Sequence, residues 1–167
     1  MVEICRCCVI IQKIMGKLND DREKNMNTNS ENPKVGKAFQ KLVMNSMEKR
    51  YNISFDMEKP LPIGFPPKNH KFDGVSADGK IVVECKCYTW TNTGNIPSAK
   101  LMGLNEAVFY MSYLPADMTK IICIKRAVYP GKMETLAEYY CRIDGHLLQG
   151  VKVFEVDEEG KILEIKP

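Results

Sequence analysis

Asp73, Glu84 and Lys86 are the residues best spaced for hydrolytic chemistry, and all three lie in one short stretch, HKFDGVSADGKIVVECKCYTW, from His70 to Trp90. Two carboxylates held together bind a hard divalent cation, because Mg²⁺ takes oxygen ligands, usually one or two carboxylates completed by waters and substrate phosphate oxygens. An ammonium beside them can orient or help deprotonate an attacking water. Whether the three side chains meet depends on strand register. Asp78-Gly79 is a strong two-residue turn signal, since both central positions of a type I′ turn take positive φ. With that pair as the loop, Ala77 pairs with Lys80 and Val75 with Val82, and Asp73 falls opposite Glu84. Opposed residues share a face with Cβ atoms about 4.5–5.5 Å apart, and Lys86 returns to that face about 7 Å further along. The other face takes Phe72, Gly74, Ile81, Val83, Cys85 and Cys87.

Opposed carboxylates repel, so stability alone gives a sheet no reason to place them there. A cation between them does. The bland alternative is a solvated face on which Lys86 is a counter-charge. The same register sets Lys71 opposite Lys86, which a bulge near Asp73 would relieve by shifting the pairing one residue.

The pattern D-x(10)-E-x-K on two adjacent strands resembles the active-site signature of the PD-(D/E)XK nuclease superfamily, with Asp73 as its first acid, Glu84 as its second and Lys86 as its lysine. The resemblance implies Mg²⁺ at Asp73 and Glu84, with Mn²⁺ able to substitute, and Lys86 assisting the attacking water. The implied reaction is phosphodiester hydrolysis of DNA leaving a 5′-phosphate. The implied fold is α/β, a restriction-endonuclease-like core in the order α-β-β-β-α-β, its central mixed sheet flanked by helices; a C-terminal hairpin would be an addition. Two departures stand out. Phe72 occupies the place of the Pro in the motif's name, a position the family varies. Many members carry a Glu four residues after a Gly on the first helix, whereas here Gly36 is followed by Gln40, a neutral supporting residue. One negative charge is missing, which weakens any two-metal scheme.

The elements around the hairpin follow the same order. Asn32-Pro33 reads as an N-cap and first helical position. Phe39, Leu42, Val43, Met47 and Tyr51 then recur as a helical stripe, with Lys37, Lys41, Lys49 and Arg50 outside it. YNISFDMEKPLPIGF reads as a first strand ending in a Pro-rich bend. After Trp90 a loop leads into a helix from about Pro97 to Leu114, whose stripe is Leu101, Leu104, Val108 and Met111 and which Pro115 stops. KIICIK is the continuous apolar run of a buried central strand. ETLAEYYCRI is a short helix, and VKVFEVDEEGKILEIKP a closing hairpin about Glu159-Gly160.

Residues 33–167 read as a single nuclease-like domain, preceded by a segment, 1–32, of different character. NDDREKNMNTNSEN is polar and turn-rich, the composition of a flexible linker. Met26 offers an alternative start, which would make the first 25 residues an over-extension. At 167 residues, 44% hydrophobic and 27% charged, the chain has ordinary globular values and length enough for a sizeable core. A net charge of +3 is too small to imply nucleic acid without local clustering. No run approaches the length of a membrane-spanning helix. Seven cysteines, an odd number with no C-x-x-C pair and no secretory signal, point to reduced thiols in a cytoplasm. Cys5-x-Cys7-Cys8 lacks a second ligand pair for a soft metal.

Near the site, Thr91, Asn92, Thr93 and Asn95 leave the third strand just beyond Lys86, and Lys100 sits on the first turn of the next helix. Their hydroxyls, amides and charge suit a phosphate backbone; an ordinary loop with a solvated lysine is the alternative. Trp90 is read as a cap on the core rather than a base-stacking platform. Asn105 and Glu106 are both candidates for a polar residue supporting the site, with Tyr110 on the same helix. Three function classes remain: a Mg²⁺-dependent DNA endonuclease, expected to work on duplex as a homodimer; a non-catalytic nucleic-acid-binding or assembly module on the same fold; and a non-nucleic-acid α/β domain with a structural ion pair, which requires that no divalent metal bind.

Overall fold

The computed structural model describes residues 32–167. Residues 1–31, with Cys5, Cys7, Cys8 and the alternative start at Met26, lie outside the described residues. The elements run α1 (Asn32–Tyr51), β1 (Phe55–Ile63), β2 (Lys68–Ser76), β3 (Ile81–Lys86), α2 (Ser98–Ser112), β4 (Thr119–Lys125), α3 (Leu136–Asp144), β5 (Lys152–Val156) and β6 (Ile162–Ile165). One six-stranded sheet takes them in sequence order. The β1–β2–β3 meander is antiparallel, β3, β4 and β5 are parallel, and β6 returns antiparallel to β5. The class is α/β with an open mixed sheet.

Each helix is placed by the stripe it buries. On α1, Phe39, Val43, Met44 and Met47 are buried against Phe55, Ile81, Val83, Ile121, Cys123, Phe154 and Val156. The Met44 side chain occupies the space that a Cβ at Gly74 would need, so the glycine beside Asp73 lets α1 sit close on β2. On the other face, Leu101, Leu104, Val108 and Met111 of α2 join Leu136, Ala137 and Tyr140 of α3 over Val75, Val82, Ile122, Ile124 and Val153. Both faces of β4 are thus covered, as its unbroken run Ile121–Ile124 requires. Helix α3 begins at a capping box that the T-x-x-E spacing announces: Thr135 Oγ1 accepts from the Glu138 amide at 3.2 Å, and Glu138 accepts from the Thr135 amide at 2.7 Å.

Three expectations need correction. Pro60 and Pro62 lie inside β1, paired with Lys71 and Asn69, rather than in a bend after it. They are tolerated because β1 is a sheet edge, where a missing N–H breaks no ladder bond. The β2–β3 connection is not a type I′ turn. Gly79 alone has positive φ, at 71°; Ser76 Oγ donates to Asp78 at 2.6 Å and accepts from the Ile81 amide at 2.9 Å, so side chains close the turn. Finally, Phe72 belongs to the α2 face with Val75 and Val82, not to the α1 face with Ile81, Val83, Cys85 and Cys87. Alternation breaks between Phe72 and Gly74. In β1, opposite Asp73, Glu58 takes a left-handed conformation (φ 51°) and drops out of the ladder between Met57↔Gly74 and Lys59↔Phe72. The hairpin rolls at that point, turning Phe72 toward α2.

Candidate active site

The register that brings the acids together is the expected one: Val75 pairs with Val82 and Gly74 with Val83. The ladder then stops. The pairing does not slip by one residue at Asp73. Instead the Asp73 carboxylate itself accepts the backbone N–H of Cys85, Oδ2 to N at 2.7 Å, and β2 and β3 part beyond it. Because the β2–β3 ladder ends at Gly74↔Val83, Lys71 has no ladder partner in β3 and is not set opposite Lys86, which removes the like-charge conflict. Lys86 turns to Glu84, Nζ to Oε1 at 2.9 Å, with both side chains largely buried.

The electrostatics follow from that crowding. Burial, with the Glu84 carboxylate next in weight, pushes Asp73 up to about 6 against the Cys85 N–H bond and the Lys86 charge, and Glu58 adds to the rise. Burial opposes the charge on Lys86, but the charge and hydrogen bond of Glu84, with Tyr88 and Asp73 adding to them, hold the ammonium above the usual lysine range. Glu84 Oε2 is buried with no hydrogen-bond partner among the described residues. An orphaned carboxylate oxygen beside a second, partly desolvated carboxylate is what a hard cation satisfies. The donor set therefore fits the ion that the motif implies. Burial keeps Cys85 and Cys123 as neutral thiols, so the ligands on offer are oxygens. Among the described residues no three His, Cys, Asp or Glu side chains already form a metal-binding group, so two protein ligands would leave the remaining positions to water and substrate.

Gln40 reaches the site from behind. It is buried on α1, and its Nε2 donates to the backbone carbonyl of Asp73 at 3.1 Å. The amide thus fixes the main chain that carries the first acid. On α2, Asn105 and Glu106 separate cleanly. Asn105 accepts from Tyr140 at 2.9 Å and donates to Asp144, facing α3. Glu106 accepts from Tyr110 at 2.9 Å, and that bond raises the tyrosine's pKa while the nearby Lys86 lowers it. Of the two, Glu106 lies on the site's side of the helix.

The loop after β3 is more self-contained than its composition suggests. Thr91 Oγ1 lies 3.3 Å from Thr93 Oγ1 and donates to the Asn95 carbonyl at 3.0 Å, while the Asn92 carbonyl accepts from Tyr129. Lys100 folds back, Nζ to the Thr89 carbonyl at 2.9 Å. The side chains of Asn92 and Asn95 are left exposed. Trp90 is buried, donates to the Ala127 carbonyl at 3.2 Å and meets Tyr139 edge-on, as a core cap does. Glu58 is the acid that sequence reasoning missed. Its position opposite Asp73 depends on the β1–β2 register, and a strand interrupted by two prolines conceals that register.

Compared with family models, with curated proteins and with solved structures, the chain has no match.

Proposed function

We propose that the chain is a Mg²⁺-dependent DNA endonuclease on a restriction-endonuclease-like fold. The observation that carries this reading is the convergence of Asp73, Glu84 and Lys86 where β2 and β3 part, with one Glu84 oxygen buried and unpartnered. Asp73 and Glu84 would hold the ion. Bound there, a divalent cation polarises a scissile phosphate and makes a nearby water more acidic. Lys86 is the group that orients the attacking water, its ammonium anchored by Glu84. Gln40 and the Cys85 N–H fix the Asp73 main chain and carboxylate, so the first acid is held before substrate arrives.

DNA is the proposed partner and Mg²⁺ the proposed cofactor, with Mn²⁺ substituting. A homodimer is proposed because one site per chain serves one strand at a time, and paired symmetric subunits are the commonest oligomer. Free thiols at Cys85, Cys87, Cys123 and Cys141 favour a reducing cytoplasm. Among the described residues no helix is long and apolar enough to cross a membrane. The second reading, a non-catalytic nucleic-acid-binding or assembly module, draws on the Lys86–Glu84 ion pair, which holds without a metal. Incubation with supercoiled plasmid, linear duplex, branched junction and single strand, in Mg²⁺ and in EDTA, separates the two. The nuclease cuts at least one substrate in Mg²⁺ alone; binding without cutting in any condition favours the module.

A further inference from the structure

We infer that the β1–β2 hairpin is an arm that engages duplex DNA, with Phe65 at its tip wedged between neighbouring base pairs. The inference rests on the nuclease reading above and names the substrate form which that reading leaves open. β1 and β2 stay paired from Phe55↔Ser76 out to Ile63↔Lys68, whereas β3 pairs with β2 only at Gly74 and Val75. Beyond Asp73 the hairpin is therefore a two-stranded ribbon leaving the sheet at the candidate site. At about 3.3 Å per residue, Phe65 stands about 20 Å from the two acids. The ribbon is braced along its length. Leu61 and Ile63 pack on the α2-side core, and the His70 ring lies 4.4 Å from that of Tyr110.

The ribbon carries exposed lysines on both faces, Lys68 on the face of Ile63 and Lys71 on the other, and ends in an aromatic ring. From Lys59 to Phe72 there is no acidic residue. Lys59 is bonded to Asp56, but Lys68 and Lys71 are exposed and, among the described residues, take part in no ion pair. Phe65 is 99% exposed. The prolines after it, Pro66 and Pro67, restrict the backbone that presents it. A bare phenylalanine contributes nothing to the fold, yet apolar side chains carried on a basic element are the means by which proteins unstack base steps. A protein strand pairing with the open edge of β1 is disfavoured. Pro60 and Pro62 are two residues apart, so both withhold an N–H from the same outer edge. Unpaired positive charge and the blocked edge together favour a polyanion.

The test measures binding of the full chain in Ca²⁺ to a short duplex carrying 2-aminopurine at successive positions, and to the same strand alone. The wild-type protein should bind the duplex more tightly and raise the fluorescence at one base step. Phe65→Ala should abolish that rise and weaken duplex binding about tenfold, the value of one lost aromatic stack. Replacing Lys68 and Lys71 together by Ala should flatten the slope of log affinity against log salt by about 2, one phosphate contact per lysine. All three side chains are exposed, so the variants keep the fold. Phe65→Ala behaving like wild type, or single strand binding as tightly as duplex, overturns the arm. Phe65-dependent duplex binding by a protein that cuts none of the plasmid, linear duplex, junction and single-strand substrates in Mg²⁺ supports the arm and overturns the nuclease.

Discussion

The Asp73 carboxylate accepts the Cys85 backbone N–H at 2.7 Å, just past the last backbone pair between β2 and β3, Gly74 with Val83. A side chain does there what a main chain does elsewhere in the sheet. The strands separate, and the first acid stays locked beside the second although the two repel.

Burial of that acid beside a second carboxylate has a pH signature. Asp73 titrates near 3.8 in an unfolded chain and is raised to about 6 when folded, mainly by burial and then by Glu84. The folded metal-free protein therefore holds this proton more tightly than the unfolded chain. Its contribution to stability falls as pH rises from about 4 through about 6, and the full penalty applies above that. At 1.36 kcal/mol per unit the penalty is at most about 3 kcal/mol. Asp73→Asn removes the charge and keeps an acceptor for the Cys85 N–H. Its metal-free melting temperature should exceed that of wild type by several degrees at about pH 7, and the gap should shrink at about pH 4. A constant gap across that range would mean that Asp73 is not the strained group.

Gln40 donates to a carbonyl, which an ionised Glu cannot do. Gln40→Glu restores the acid common on the first helix of the resembled family, yet here it sets a carboxylate against the Asp73 carbonyl at 3.1 Å. We expect thermal melts to show a loss of about 1–3 kcal/mol in metal-free protein. Unchanged stability together with increased cleavage would show that the position binds metal after all.

Mn²⁺ should support cleavage, and Ca²⁺ should permit DNA binding without turnover, because Ca²⁺ is larger and less strict in its coordination geometry. Metal affinity should also weaken on the acid side of about pH 6, where the metal-free Asp73 takes up its proton. Calorimetric Mn²⁺ affinity that stays flat through that region would separate Asp73 from the metal.

Much of this was legible in the chain, and the rest had physical reasons for being hidden. Asp78-Gly79 and the alternation around it gave the β2–β3 register, even though Asp78 closes the turn with its side chain rather than with positive φ. Apolar stripes located α1, α2 and β4 because burial leaves a periodic trace. The roll at Glu58, which sends Phe72 to the opposite face, leaves none: Glu in a left-handed conformation is not announced by its type. Nor could spacing show that Thr91 and Lys100 spend their polar groups on their own loop, or choose between Asn105 and Glu106, which differ by 100° around one helix.

Plasmid cleavage in Mg²⁺ with wild type, Glu84→Gln and Lys86→Ala, alongside calorimetric Mn²⁺ binding, asks whether Glu84 holds a metal and Lys86 serves the water. Glu84→Gln should lose both cleavage and metal affinity, while Lys86→Ala should lose cleavage by about 10²–10⁴-fold and keep the metal. Wild-type cleavage by Glu84→Gln, or undiminished cleavage by the wild-type protein in excess EDTA, would contradict the account.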